Sequence, residues 1–128
     1  MINERVKYTA NTGMGLISTG NTALDGSGAG VVTILTAASN GTLIKRVTVK
    51  ATVNTTRGMV RLFIYDGSNT KTLIREIRVP ATTASSMDHS FETTVSLNLN
   101  LKSTYTLLAS TQNSESFQVI AEGLDWTY

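Results

Sequence analysis

The sequence predicts an all-β domain, a two-sheet antiparallel β-sandwich of about eight strands, and three observations point there. Arg57–Arg78 reads as two β-rich runs around Asp66-Gly67-Ser68-Asn69. Asp-Gly supplies the positive φ that a hairpin turn needs, and Ile, Phe, Tyr, Val and Leu fill the flanks. Phe91–Leu101 gives the cleanest alternation in the chain, the period of a strand with one wet face. The chain is rich in Thr, Ser and Asn, has a single Pro, and nowhere sustains a helical period. Thr is β-branched and suits a half-buried pleated surface.

At 128 residues the chain suffices for one domain with a two-layer core. Residues 1–14 are polar with little periodicity and are expected to form an extended N-terminal arm. Residues 15–128 are expected to form the sandwich. Gly15–Thr19 makes a short first strand, followed by a loop over Asn21–Gly30 that contains Asp25-Gly26-Ser27-Gly28. Gly30–Ala38 is apolar on both faces, as a central strand would be. Asn40-Gly41 turns the chain. In the strand that follows, Val47, Val49, Ala51 and Val53 point one way, and Arg46, Thr48, Lys50 and Thr52 the other.

Asn54-Thr55-Thr56 leads into the Arg57–Arg78 hairpin. There Val60, Leu62 and Ile64 share one face; Met59, Arg61, Phe63 and Tyr65 share a more mixed one, destined for water or a partner. Pro80 cannot donate to a sheet ladder and ends the strand. In the next strand Phe91, Thr93, Val95, Leu97, Leu99 and Leu101 face inward; each large one contributes roughly 1.5–3 kcal/mol if fully buried. Thr104–Thr111 and Ser116–Glu122 read as a last hairpin around Gln112-Asn113-Ser114, and an aromatic tail, Trp126–Tyr128, closes the chain. On strand count, a jelly roll is favoured over an immunoglobulin-like order.

Composition narrows the function classes. The formal charge is +2, and the basic residues are spread along the chain. A nucleic-acid binder gathers them on one face, so no specific nucleic-acid partner is expected. Without cysteine there is no disulfide, thiolate metal site or cysteine nucleophile. The first residues lack the apolar core of a signal peptide. No apolar run approaches the ~20 residues of a membrane-spanning helix. The expectation is a protein made in the cytoplasm with no membrane partner.

Candidate chemistry is thin. Asp88-His89-Ser90 has the residue types of a serine triad, but neighbours on extended chain point to opposite sides. Asp25-Gly26-Ser27-Gly28 lacks the further acidic ligands of a calcium loop and reads as a turn. Gly13-Met14-Gly15 lacks the Lys-Ser/Thr ending of a phosphate loop. Glu122 and Asp125, beside Trp126, are the nearest approach to a glycosidase pair. Trp126, Tyr128 and Tyr105 could stack on a sugar, although Trp and Tyr also anchor protein contacts. No catalytic residue, cofactor or metal site is expected.

Gly15-Leu16-Ile17-Ser18-Thr19, Leu24-Asp25-Gly26-Ser27-Gly28, Asn40-Gly41-Thr42, Met59–Gly67 and Val119-Ile120-Ala121-Glu122-Gly123 together resemble small virion structural proteins of tailed bacteriophages, of the capsid decoration or auxiliary capsid type. The resemblance spans most of the chain from Gly15 onward and rests on turn and core motifs. It implies a non-enzymatic β-sandwich that decorates or reinforces the capsid as a homo-oligomer, a trimer among the options, and is assembled in the host cytoplasm. Its partners would be the major capsid protein or other virion proteins. The alternative is a glycan-binding host-adhesion module of a head or tail fibre. The residues expected at partner contacts are Val6, Tyr8 and Met14 in the arm, Arg61 and Tyr65 on the mixed hairpin face, and Trp126 and Tyr128 in the tail.

Overall fold

The computed structural model describes residues 7–127, which form eight strands and no helix. They are β1 (Lys7–Ile17), β2 (Val32–Thr36), β3 (Thr42–Ala51), β4 (Gly58–Tyr65), β5 (Lys71–Val79), β6 (Glu92–Leu101), β7 (Thr106–Thr111) and β8 (Phe117–Thr127). Two four-stranded antiparallel sheets result, ordered β1-β8-β3-β6 and β2-β7-β4-β5. The expected sandwich is present. β1 pairs with β8, β2 with β7, β3 with β6 and β4 with β5, so each ribbon nests inside the previous one. The β4–β5 hairpin at the centre is the one read from the sequence.

The core lies between the sheets. Val47, Val49 and Ala51 of β3 meet Val119, Ala121 and Phe117 of β8 from one side; Val60, Leu62, Leu107 and Ala109 approach from the other. The alternation expected in β3 therefore holds through Ala51, but Val53 lies beyond the strand and is exposed. β6 also alternates in the expected phase. It is an edge strand, so only Leu101 of its inward residues is fully buried, and Val95, Leu97 and Leu99 are partly covered.

Five expectations need correction. The first strand begins at Lys7, not Gly15, because β1 pairs with β8 over its whole length, from Lys7↔Thr127 to Ile17↔Phe117. The stretch Lys7–Met14 looks patternless because its inward positions are Thr9, Asn11 and Gly13, which bring no apolar side chain to the core. A Cβ on Gly13 would sit 2.1 Å from the Ile34 carbonyl oxygen, and one on Gly15 would sit 2.7 Å from Ile34 Cδ1. Glycine lets β1 lie directly on β2. The aromatic tail, too, is strand: β8 runs through Trp126 to Thr127.

β2 is an edge strand rather than a central one. It is apolar on successive residues because a bulge between Thr33 and Leu35 turns both Ile34 and Leu35 into the core; bulges place neighbours on one side in this way. The last pair of strands is not a hairpin, since β7 and β8 belong to different sheets. Their connection crosses the sandwich edge, held by Gln112 N–H to Met59 O at 2.8 Å and Thr111 Oγ1 to Asn113 O at 2.9 Å.

Finally, the mixed face of β4 is not free. Phe63 and Leu108 lie opposite one another on β4 and β7 and point away from the core between the sheets, yet both are buried. The loop between β1 and β2 crosses this side. Asn21 N–H donates to Thr111 O at 2.8 Å, and Lys71 Nζ donates to Gly26 O at 3.2 Å. The loop covers a second, small apolar layer on the outside of the sheet.

The β4–β5 turn is organised by one carboxylate. Asp66 Oδ1 accepts backbone N–H groups from Ser68 at 2.9 Å, Asn69 at 3.1 Å and Thr70 at 3.1 Å, and Gly67 takes φ +87°. Hydrogen bonds to the charged form, the Ser68 N–H first, hold the Asp66 pKa down to about 2 from 3.8.

Two outcomes test this architecture. Gly13→Ala drives a methyl group into the β2 backbone and is expected to destabilise by roughly 1–3 kcal/mol or more, measured by urea unfolding. Because the folded pKa of Asp66 is depressed, its contribution is complete above pH 3.8 and is lost as pH falls through about 2. The difference in melting temperature between the native chain and Asp66→Ala is therefore expected to be constant above pH 3.8 and to narrow below it.

Candidate functional site

The outer face of the β1-β8-β3-β6 sheet gathers three of the residues expected at contacts. On β1 the outward side chains are Tyr8, Ala10, Thr12, Met14 and Leu16. Across β8 they face Trp126, Leu124, Glu122, Ile120 and Gln118 respectively. Tyr8, Met14 and Leu16 are 61%, 71% and 54% exposed, high values for large apolar groups on a strand. Directly opposed residues on antiparallel strands hold their Cβ atoms ~4.5–5.5 Å apart, so Tyr8 and Trp126 form one end of this face. Met14 and Ile120 form the other.

A polar row separates the two ends. Thr12 lies opposite Glu122, and Glu122 opposite Arg46 of β3. Arg46 Nε donates to Glu122 Oε2 at 2.9 Å, with both side chains nearly half exposed. Such a pair contributes about 0–1 kcal/mol, so its main consequence is to divide the surface. On one side a shallow groove of about 290 Å³ runs between Met14, Leu16, Gln118 and Ile120. On the other, an open cleft of about 620 Å³ lies between Trp126, the Asn40-Gly41 turn and the Asn100–Ser103 stretch.

The remaining expected contact residues lie elsewhere. Arg61 is buried, and its guanidinium is engaged on the covered side of the second sheet. Its Nε donates to Glu76 Oε1 at 3.2 Å and its Nη2 to Gln112 Oε1 at 2.7 Å; its Nη1 reaches Asn21 O at 3.5 Å. It ties the β1–β2 loop to the sheet. Tyr65 O–H donates to Ser68 O at 3.0 Å, and Lys71 Nζ sits 5.3 Å from its ring centroid; both contacts serve its own hairpin. Val6 and Tyr128 lie outside the described residues.

The candidate catalytic groupings come apart. Glu122 faces out toward Arg46, whereas Asp125 faces in, its Oδ1 accepting from Thr42 Oγ1 at 2.6 Å and Asn11 Nδ2 at 2.8 Å. Two carboxylates on opposite faces of one strand cannot flank a glycosidic bond. Ser90 Oγ donates to Ala51 O at 2.6 Å, and His89 Nδ1 is 2.8 Å from Ser90 O, so neither is arranged toward the other as nucleophile and base. Asp25 Oδ1 accepts from Ser27 Oγ at 2.6 Å and Ser27 N–H at 3.0 Å. These bonds, the hydroxyl first, lower its pKa and close a turn. Among the described residues no three His, Asp or Glu side chains come together as metal ligands.

Leu16, Ile120 and Asn100 belong to this surface and were not singled out from the sequence. Leu16 was legible as the next even position after Tyr8, Ala10, Thr12 and Met14, had these residues been taken as one strand. Asn100 reaches the site only because β6 and β8 flank β3 in the same sheet. No family model and no curated protein matches this chain, so the phage resemblance rests on the motifs quoted above.

Proposed function

We propose that this protein is a non-enzymatic structural component of a bacteriophage virion that docks on the capsid as a homo-oligomer. The observation that carries the reading is the exposed apolar stripe on the outermost strand: Met14 and Leu16 of β1 with Ile120 of β8. Large apolar groups clustered on a strand face mark a contact surface. An edge strand left bare also invites pairing with another chain. The motif resemblance supplies the setting; the stripe supplies the means of attachment.

Two further features support it. Four carboxylates are engaged within the chain: Glu122 with Arg46, Glu92 with Lys50, Glu76 with Arg61, and Glu115 Oε2 with the Thr56 N–H and hydroxyl. We also infer that the nested pairing is a jelly roll. An immunoglobulin-like sandwich sets its first strand beside its second, whereas here β1 lies beside β8, the wound-ribbon order of a jelly roll, an architecture that capsid proteins use.

The test is occupancy on the particle. The double variant Met14→Asp, Leu16→Asp places charge on exposed positions and is expected to keep its circular dichroism spectrum. Its occupancy on purified particles, quantified by mass spectrometry, is expected to fall at least tenfold, and sedimentation should show the native chain self-associated and the variant monomeric. Native-level occupancy by the folded variant, or particles lacking the chain altogether, would overturn the reading.

A further inference from the structure

The cleft beside Trp126 is separate from the Met14–Leu16 stripe and differs from it in chemistry. We propose that it is a carbohydrate-binding site that takes a pyranose residue of an extended glycan, with Trp126 as the stacking platform.

The platform is preorganised. Trp126 is the single tryptophan of the chain. Its backbone N–H donates to Gly41 O at 3.1 Å, and its indole Nε1 donates to Asn100 Oδ1 at 3.3 Å. The ring is therefore drawn from β8 across the end of β3 toward β6. Gly41 lies beside the ring: a Cβ there would be in ordinary contact with Trp126 Cδ1 at 3.9 Å, and glycine is required instead by φ +90° and by Leu101 O, 3.0 Å from that Cβ. With the backbone of Trp126 bonded to Gly41 and the indole Nε1 bonded to Asn100, the ring has less side-chain freedom to lose when a ligand stacks on it. Tyr8, directly opposite on β1 and 61% exposed, places a second aromatic on the same face at this end of the sheet.

The groups around the platform suit a sugar rather than a peptide or a lipid. One face of a pyranose ring presents C–H groups, which pack on an aromatic face; its rim presents hydroxyls, each both donor and acceptor. Ser39, Asn40, Asn100 and Ser103 line the cleft, and amides and hydroxyls likewise both donate and accept. Lys102, also at the cleft, adds three donors. A volume of about 620 Å³ falls within the range of small-ligand sites, ~300–1,000 Å³. The cleft is open, so a chain of sugars can pass through it. Single-site affinity for such a ligand is expected to be weak and to gain from repetition of the protein.

The closing experiment uses the full chain. It is displayed multivalently on beads and exposed to an array of bacterial surface polysaccharides and of maltose, cellulose and chitin oligomers. Hits are then titrated as soluble trisaccharides while fluorescence is read, which reports this cleft alone because Trp126 is the only tryptophan. Expected are binding to at least one array member, a saturable change in emission of the native chain, and at least a tenfold loss of retention on the array by Trp126→Ala, which has no tryptophan emission to follow. Asn100→Ala keeps the ring but frees it, and a severalfold loss is expected; this variant carries the test if Trp126→Ala does not fold. Met14→Asp, Leu16→Asp should bind glycan as the native chain does, which separates this site from the capsid contact. The proposal fails if no array member is retained above blank beads, or if the folded Trp126 and Asn100 variants bind as well as the native chain.

Discussion

Gly13 and Gly15 put no side chain between β1 and β2, and the course of the first strand depends on that. With a backbone oxygen where a Cβ would be, β1 can lie against β2 at the corner of the sandwich while pairing with β8 along its entire length. Everything on the outer face follows from this register. It sets Tyr8 beside Trp126 and Met14 beside Ile120, and it leaves the even-numbered residues of β1 facing outward because the odd-numbered ones meet β2 and the core.

The two outer surfaces of the sandwich are treated differently. On the β2-β7-β4-β5 sheet the long β1–β2 loop folds over Phe63 and Leu108, with buried Arg61 bonded to Glu76, Gln112 and Asn21 beneath it. A buried guanidinium needs this many acceptors, since leaving it unpaired would cost several kcal/mol, on the order of 3–5. On the β1-β8-β3-β6 sheet no loop among the described residues covers the face, and apolar groups are exposed. The Arg46–Glu122 row divides that face into an apolar groove and a cleft rimmed with amides and hydroxyls. One sheet surface thus carries two chemistries, the first proposed as a protein contact and the second as a sugar site.

Wherever one face of a strand is buried and the other wet, the pattern was legible along the chain. β3, the β4–β5 hairpin and β6 were all read in the correct phase from alternation, with Asn40-Gly41 and Asp66-Gly67 marking turns that the structure shows with glycines at positive φ. The reading failed where a neighbour replaced the usual pattern. Lys7–Met14 looked like an arm because its inward positions carry glycine and asparagine against another strand. Val32–Thr36 looked central because a bulge turned two adjacent apolar residues the same way. Arg61 looked available because a loop more than thirty residues away in sequence covers it.

The amino-acid sequence by itself determined the class of fold, the position of most turns and the inward face of most strands, because these follow from local backbone preference and a two-residue period. It also placed aromatic residues near both ends of the chain. Only the tertiary structure decided that those ends lie side by side, that β7 and β8 part into different sheets, and that Asn100 holds the Trp126 ring over Gly41. Strand order and register arise from pairings between residues as much as 120 apart, Lys7 with Thr127, and no local signal encodes which edge a strand will choose.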